Sequence, residues 1–497
     1  MVRRYLGILL VLFTSLGFST AQNINPDYHS VIVQFELTKI ELTMDESDKH
    51  ALVYPADPKQ DIYYKAQIHL KNTKLDTLFG PVGIRIRGNT SRGNQKKSFK
   101  IDFKEFGGEQ LKQLKKLNLK PNNNDPSMLR ESLSWIMYRK MNVPAARTGF
   151  VELYMNDEFM GVYQNIENID DEFVNRRYGN EAGNLYKCTW GATLETQNDV
   201  YDNHLFELKT NEEFNMRSRL KEFISIVNST GGEKWEQQVE AIFDVDNYMR
   251  QLAVESMIGH WDGYSYNTNN YYLYDDPETG KFHFIPYDLD NTWGIDWIGP
   301  DWGNQDLMAW YSDRLKVPLT TRLLKSDKYH DLYVLYLYEA MDRMLETSTV
   351  IASLFEVIET KVADDSYYSL DFGFTYQDFL VAQNEAWGKH VEYSINDYIE
   401  TRLKSAQTQT PEINSTPIAY FETGKEQLLV FPNPSNGFSI NYRGIENMDE
   451  IRLFDSSGKV LPGETDVFGV ISFKNRLEKG MYFLKSGTFV GKFIVAY

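Results

Sequence analysis

The chain has 497 residues, room for two or three domains with full hydrophobic cores. Its 42% hydrophobic, 14% aromatic and 25% charged residues exclude extended disorder, and its single cysteine, Cys188, excludes a disulfide framework and a cysteine-built zinc site. With 52 Lys and Arg against 70 Asp and Glu the formal charge is -18, so the molecule repels nucleic acid and anionic lipid, and a phosphate ligand needs a local basic pocket.

Residues 1–21 carry two arginines, an apolar run from about Leu6 to Phe18 and a small-residue site at Ser19, Thr20 and Ala21, the pattern of a secretory signal peptide. The run falls short of the roughly 20 residues that span a bilayer, and no later segment is long enough, so the mature chain is expected to lack a membrane-spanning segment. From Val31 to about Phe106, VIVQFELTKIELTM, IYYKAQIHL and VGIRIRG alternate with the period of two that predicts a sheet. Asp125 reads as an N-cap and Pro126 as the first residue of a helix running through MLRESLSWIMYRKM. A hairpin with Asn156 and Asp157 in its turn follows. The pattern is then helical from Asn211 to Met257, strand-like around the DDPETG turn between Trp261 and Trp293, and helical again from about Asp313 to Gln407. Lys404–Pro417 has the composition of a linker. Six or seven short β segments after it predict a small sandwich.

In GHWDGYSYNTNNYYLY, Asp262 precedes Asn267 by the spacing of a kinase catalytic loop, where the Asp orients the attacking hydroxyl and the Asn holds magnesium, and His260 stands two residues before the Asp. Downstream, FIPYDLDNTWG places Asp288 and Asp290 after an apolar strand, where a kinase keeps a metal-binding acid. Magnesium takes hard oxygen ligands, usually one or two carboxylates beside substrate phosphates, so the set is chemically suitable. An EF-hand starting at Asp288 fails, because Thr292, Trp293 and Gly299 occupy its fifth, sixth and twelfth positions. Asp244–Asn247 reads as a helix start.

Upstream, GIRIRGNTSRGNQKKSFKIDF is basic. Gly88 and Gly93 have P-loop separation, but Asn94 and Gln95 stand where Lys and Ser or Thr belong, so a Walker site is rejected. What remains is a tight turn followed by Lys96, Lys97 and Lys100 on a strand, a way to bring a cation to nucleotide phosphates. Glu131, in the helix that follows, either pairs with that lysine or lies exposed. The eight histidines form no HExxH pair and no GxSxG elbow occurs, which removes the zinc and serine hydrolase readings.

The segments IRIRGNTSR, KKSFKIDF, NNNDPSMLRESL, NDEFMGVYQNIENID, DGYSYNTNNYYLY and FIPYDLDNTWG resemble the CotH kinase family over roughly Ile32 to Thr408. The resemblance implies an α+β, two-lobed atypical protein-kinase-like domain at 22–403, with ATP and magnesium (manganese as a substitute) and transfer to Ser or Thr of exported proteins. It casts Asp262 as catalytic, Asn267 and Asp288 or Asp290 as metal ligands, and Lys97 or Lys100, with Arg87 and Glu131, as the nucleotide-binding set. Separately, Phe431–Gly437 (FPNPSNG), Asp455–Lys459 (DSSGK), Gly480, Tyr482 and Gly491–Val495 (GKFIV) resemble the type A sorting domain of the type IX secretion system of Bacteroidetes. That implies a linker at 404–426, a β-sandwich address at 427–497, the type IX machinery as a partner, and a secreted or cell-surface location. The competing reading is a catalytically inactive kinase-like adhesin or binding protein, since function belongs to the site rather than the fold.

Overall fold

The computed structural model describes residues 28–108, 114–411, 429–431, 439–443, 451–455, 458–465, 470–473, 477–478, 480–486 and 489–495. The expected signal peptide at 1–21 lies outside them, as do 412–426 of the expected linker and 432–437 of the FPNPSNG segment. The fold is α+β.

Seven strands close a barrel: β1 (Leu37–Met44), β2 (Tyr64–Asn72), β3 (Leu75–Ile86), β4 (Phe99–Asp102), β5 (Lys116–Lys120), β6 (Thr148–Met155) and β7 (Glu158–Glu167). Their order is β1-β2-β3-β4-β5-β7-β6, all antiparallel except the closing β1–β6 pair. The sequence alternation becomes geometry here. Ile40, Leu42, Ile68, Leu70, Val82, Ile84, Phe99, Ile101, Leu117, Leu119, Val151 and Leu153 all fill the barrel core, because successive side chains on a strand face opposite sides. The intervening positions of β3, β4 and β5 carry Arg85, Lys100, Asn118 and Lys120, with Arg85 opposite Lys100 and Lys100 opposite Asn118 in register. The hairpin turn at Asn156 and Asp157 has φ of 48° and 64°, the left-handed pair that a two-residue turn requires.

A second sheet follows, ordered β11-β10-β8-β9 from β8 (Asn184–Cys188), β9 (Phe206–Leu208), β10 (Tyr271–Asp276) and β11 (Lys281–Pro286), with the DDPETG turn joining the last two. It packs with the helices Arg130–Lys140, Val245–Ile258 and Asp327–Leu345 in a larger, separate core. Asp244 caps the helix Val245–Ile258 by accepting from Asn247 N, as its sequence suggests. Two expectations shift. The helix expected from Pro126 begins at Arg130, because Asp125 spends its carboxylate on a tight turn, accepting from Ser127 N and Arg130 N. The segment expected to be linker from Lys404 is helical to Gln409, since Ser405 and Ala406 are buried on the helix Ile395–Gln409. The tail forms two four-stranded sheets, ordered by strands 429–431, 439–443, 470–472, 464–465 and 460–461, 452–455, 480–486, 489–495. Ile440 and Ile471 of the first share a buried cluster with Leu453, Leu484 and Val495 of the second.

The barrel is strapped to the helical part by a buried ion pair. Lys96 Nζ lies 2.6 Å from Asp365, their side chains 3% and 0% exposed, and Asp365 also accepts from Val162 N at 2.8 Å. Gly161 (φ 108°) gives it room, since a Cβ there would stand 2.4 Å from the Asp365 carboxylate. Asp371 extends the strap by accepting from the backbone of Gln95 and Lys96 and from Asn123 Nδ2. Breaking a buried pair strands its partner's charge, so Asp365→Ala should cost about 3–5 kcal/mol in urea unfolding, and a loss below about 1 kcal/mol would show the strap to be dispensable.

Candidate active site

Burying Leu117 and Leu119 inside the barrel turns the alternate residue Lys120, the last of β5, toward the helical part. Three acids meet it there. Glu131, in the first turn of the helix Arg130–Lys140 and 2% exposed, lies 2.9 Å from Lys120 Nζ. Asp290 lies 2.9 Å away, and Asp288 accepts a short hydrogen bond from the same ammonium. Both aspartates come from the turn after β11, where Asp288 sits at φ 52°, a left-handed conformation that Asp tolerates better than most residues. Burial opposes the charge on Lys120, but Asp288, Asp290 and Glu131 outweigh it and hold the lysine well above its usual range. The acids divide unequally. Burial raises Asp288 but Lys120 more than compensates and holds it low, whereas burial with Asp288 and Glu131 nearby pushes Asp290 up to about 8. The cluster carries more negative charge than Lys120 alone neutralises.

Asp262 stands beside it. The helix Val245–Ile258 stops at Gly259 (φ 67°), where a Cβ would meet Tyr398 Oη at 2.4 Å, and Trp261 then anchors in the core, stacked on Trp302. This presents Asp262 just before the short helix Tyr264–Asn267. Its carboxylate accepts from Asn267 Nδ2 through one oxygen and from Asn270 Nδ2 (2.9 Å) and Asn291 Nδ2 (3.3 Å) through the other. Burial raises Asp262 above the usual carboxylate range, the amide of Asn267 opposes this, and the Asp288 charge adds to it, so the two acids sense each other. His260 is buried, and that burial pulls it down to about 4, leaving it neutral at physiological pH.

A wall of cations faces these acids. Arg87 donates to Tyr287 Oη at 2.9 Å, Lys187 lies 5.2 Å over the Tyr287 ring, and both contribute to keeping Asp288 ionised. Lys100 has no carboxylate within ion-pair distance among the described residues. Burial and repulsion from Lys116, Arg87, Arg85 and Lys209 pull it down to about 7. Such a surplus of half-buried positive charge invites a polyanion.

The sequence-derived residues Asp262, Asn267, Glu131, Asp288 and Asp290 are thus brought together, with Arg87 close to Asp288 and Lys100 among the cations around Arg87. Lys97 is not among them, since its ammonium donates to the Arg92 carbonyl at 2.9 Å and closes the Thr90–Gly93 turn. Glu131 is neither exposed nor paired with Lys97 or Lys100, because the cation beside it is Lys120. Lys96 and Lys97 precede β4 rather than lying on it. Sequence reading missed Lys120, Lys187, Asn270 and Asn291. The alternation of KLNLK was a signal for Lys120, for it marks a strand whose final Lys falls opposite to the buried leucines. Among the described residues no group of three or more His, Cys, Asp or Glu side chains forms a ready metal array. A set that mixes Asn267 with one or two aspartates is of the kind magnesium uses with phosphate oxygens.

A family model described as CotH kinase protein matches residues 84–406, a span that contains every side chain of this site. The chain is 26% identical over 342 residues to the inner spore coat protein H of Bacillus subtilis, covering 64% of this chain and 88% of that protein. It is 26% identical over 181 residues to the invasin CotH7 of Rhizopus delemar, covering 34% of this chain and 30% of that protein. Among solved structures, the Helicobacter pylori proinflammatory kinase CtkA is similar at 9% identity and a TM-score of 0.24, over 64% of this chain and 94% of that chain.

Lys100 yields a pH test. A lysine whose folded pKa lies below its unfolded value of about 10.4 destabilises the fold in full below the folded pKa and progressively less as pH rises toward the unfolded one. Lys100→Met should therefore be more stable than the parent chain near pH 6, with the advantage shrinking toward pH 10 in urea unfolding. A difference independent of pH would refute the strained, polyanion-ready lysine.

Proposed function

Because the chain belongs to the CotH kinase protein family, we propose that it is an exported atypical protein kinase, transferring the γ-phosphoryl of ATP to Ser or Thr hydroxyls of secreted or surface proteins. The observation that carries the reading is the gathering of Glu131, Asp288 and Asp290 on Lys120, next to Asp262 and opposite a cationic wall. A lysine paired with a helix glutamate beside a metal-binding aspartate is what positions nucleotide phosphates in kinases. Here Lys120 takes that place, and Arg87, Lys100 and Lys187 offer further charge to the phosphates.

Asn267, Asp288 and Asp290 would hold the metal. They fit it by donor chemistry, all being hard oxygens, and by charge, since burial with Asp288 and Glu131 close by raises Asp290, and a divalent cation would favour its ionised form. When bound, magnesium or manganese neutralises charge on the phosphoryl oxygens. Asp262 accepts the proton of, or orients, the acceptor hydroxyl, and its asparagine partners hold it in place. Burial around Glu131 and His260 keeps water from the base of the site and strengthens each charge interaction there.

Export follows, in this reading, from a signal peptide at 1–21 and a sorting module at 427–497. Deleting 427–497 should trap the chain in the periplasm, and an unchanged extracellular yield would refute that address.

A second reading, a catalytically inactive surface adhesin, draws support from the similarity to a protein named as an invasin. The two separate on incubation of the mature chain with labelled ATP, magnesium or manganese, and Ser-rich co-exported proteins. Asp262→Ala, Asp288→Ala and Lys120→Met should each lower transfer at least about a hundredfold, the scale of a lost general base or charge stabiliser. An inert parent chain that binds a protein or glycan partner would favour the adhesin.

A further inference from the structure

The asparagines around Asp262 are not equivalent. Asp262 Oδ2 accepts from both Asn270 and Asn291, whereas Oδ1 accepts from Asn267. An ionised carboxylate only accepts, so an amide serves it only with its NH2 turned inward. Asn291 has that orientation imposed from behind. Its Oδ1 accepts from Trp297 Nε1 at 3.1 Å and from Asn124 Nδ2 at 3.3 Å. An indole N–H can only donate, so a flipped Asn291 would set NH2 against N–H on one side and oxygen against carboxylate on the other.

The parts of this relay are themselves fixed. Trp297 stacks on His390 with ring centroids 4.1 Å apart and planes within 9°, and the His390 ring meets the Asn124 carbonyl at 2.8 Å. The backbone of Asn291 is pinned by its successors Thr292 and Trp293, which are fully buried and both hydrogen-bond Ser134 on the helix Arg130–Lys140. Asn291 thus aims one N–H at one carboxylate oxygen from a rigid loop.

We propose that Asn291 is a positioning residue for the transfer, committing Asp262 Oδ2 so that Oδ1 faces the acceptor hydroxyl, and that Trp297 acts by locking the Asn291 amide. The role rests on the kinase reading above. It deepens that reading by extending the site to the half-exposed Trp297, through contacts that involve neither nucleotide nor metal.

The test is steady-state transfer by the mature chain and its Asn291→Ala, Asn291→Asp and Trp297→Phe variants, with unfolding midpoints measured alongside. A lost hydrogen bond to a charged group predicts that Asn291→Ala lowers kcat about ten- to a hundredfold with little change in KM for ATP. Asn291→Asp, isosteric but without an N–H, should fall at least as far, while Trp297→Phe, which keeps the stack on His390 and loses only the donor, should fall less. If Asn291→Ala does not fold, the comparison of Trp297→Phe with the parent chain decides. An active parent chain whose variants keep kcat within about twofold, or change only KM, overturns the positioning role and leaves the kinase reading standing. An inactive parent chain overturns both.

Discussion

One ammonium, that of Lys120, holds together three carboxylates delivered by two separate parts of the chain. Glu131 arrives on a helix, Asp288 and Asp290 on the turn after β11, and Lys120 on the last residue of a barrel strand. Without the lysine these acids would repel one another in a partly dry space, where unlike charges attract and like charges repel several times more strongly than in water. The arrangement therefore couples the barrel to the helical part through charge, at the place where the chemistry is read to occur. The Lys96–Asp365 pair couples them a second time, and this pair is wholly buried.

The balance of charge around the site is deliberately incomplete on both sides. Burial, with Asp288 and Glu131 close by, drives Asp290 up, and burial, with Lys116, Arg87, Arg85 and Lys209 close by, drives Lys100 down. Each surplus costs folding free energy in the empty protein and is relieved by a ligand of opposite charge. A metal bound to a polyphosphate, as the proposed function requires, would relieve both. For a chain of formal charge -18, such a local group of cations would offset the repulsion that the net charge exerts on an anion.

Rigidity around Asp262 comes from amides rather than from further charges. Asn267, Asn270 and Asn291 bond its oxygens without neutralising it, so its orientation is held while, in the proposed mechanism, it could still accept a proton. The loops that carry these asparagines are anchored by aromatic residues in the core, Trp261 on Trp302 and Trp293 on Ser134. The generous aromatic content of the sequence thus serves the site as well as the core.

The sequence by itself determined the local elements and the linear spacing of the chemistry. The period of two gave the barrel strands, Asn156 and Asp157 gave their turn, Asp244 gave a helix start, and Asp262, Asn267, Asp288 and Asp290 could be singled out as candidates because kinase-like spacing and residue type are written along the chain. What it left open was which cation meets Glu131, because Lys97, Lys100 and Lys120 are all basic residues near strands and differ only in the direction each faces once the barrel closes. Closure buries Leu119 and so turns Lys120 toward Glu131, while Lys97 is consumed by its own turn. The partners of Asn291 were likewise decided by tertiary contacts, since a lone Asn carries no mark of the groups that fold around it. Spacing along a chain is local information, but the pairing of charges depends on which faces of distant elements are brought together, and only packing sets that.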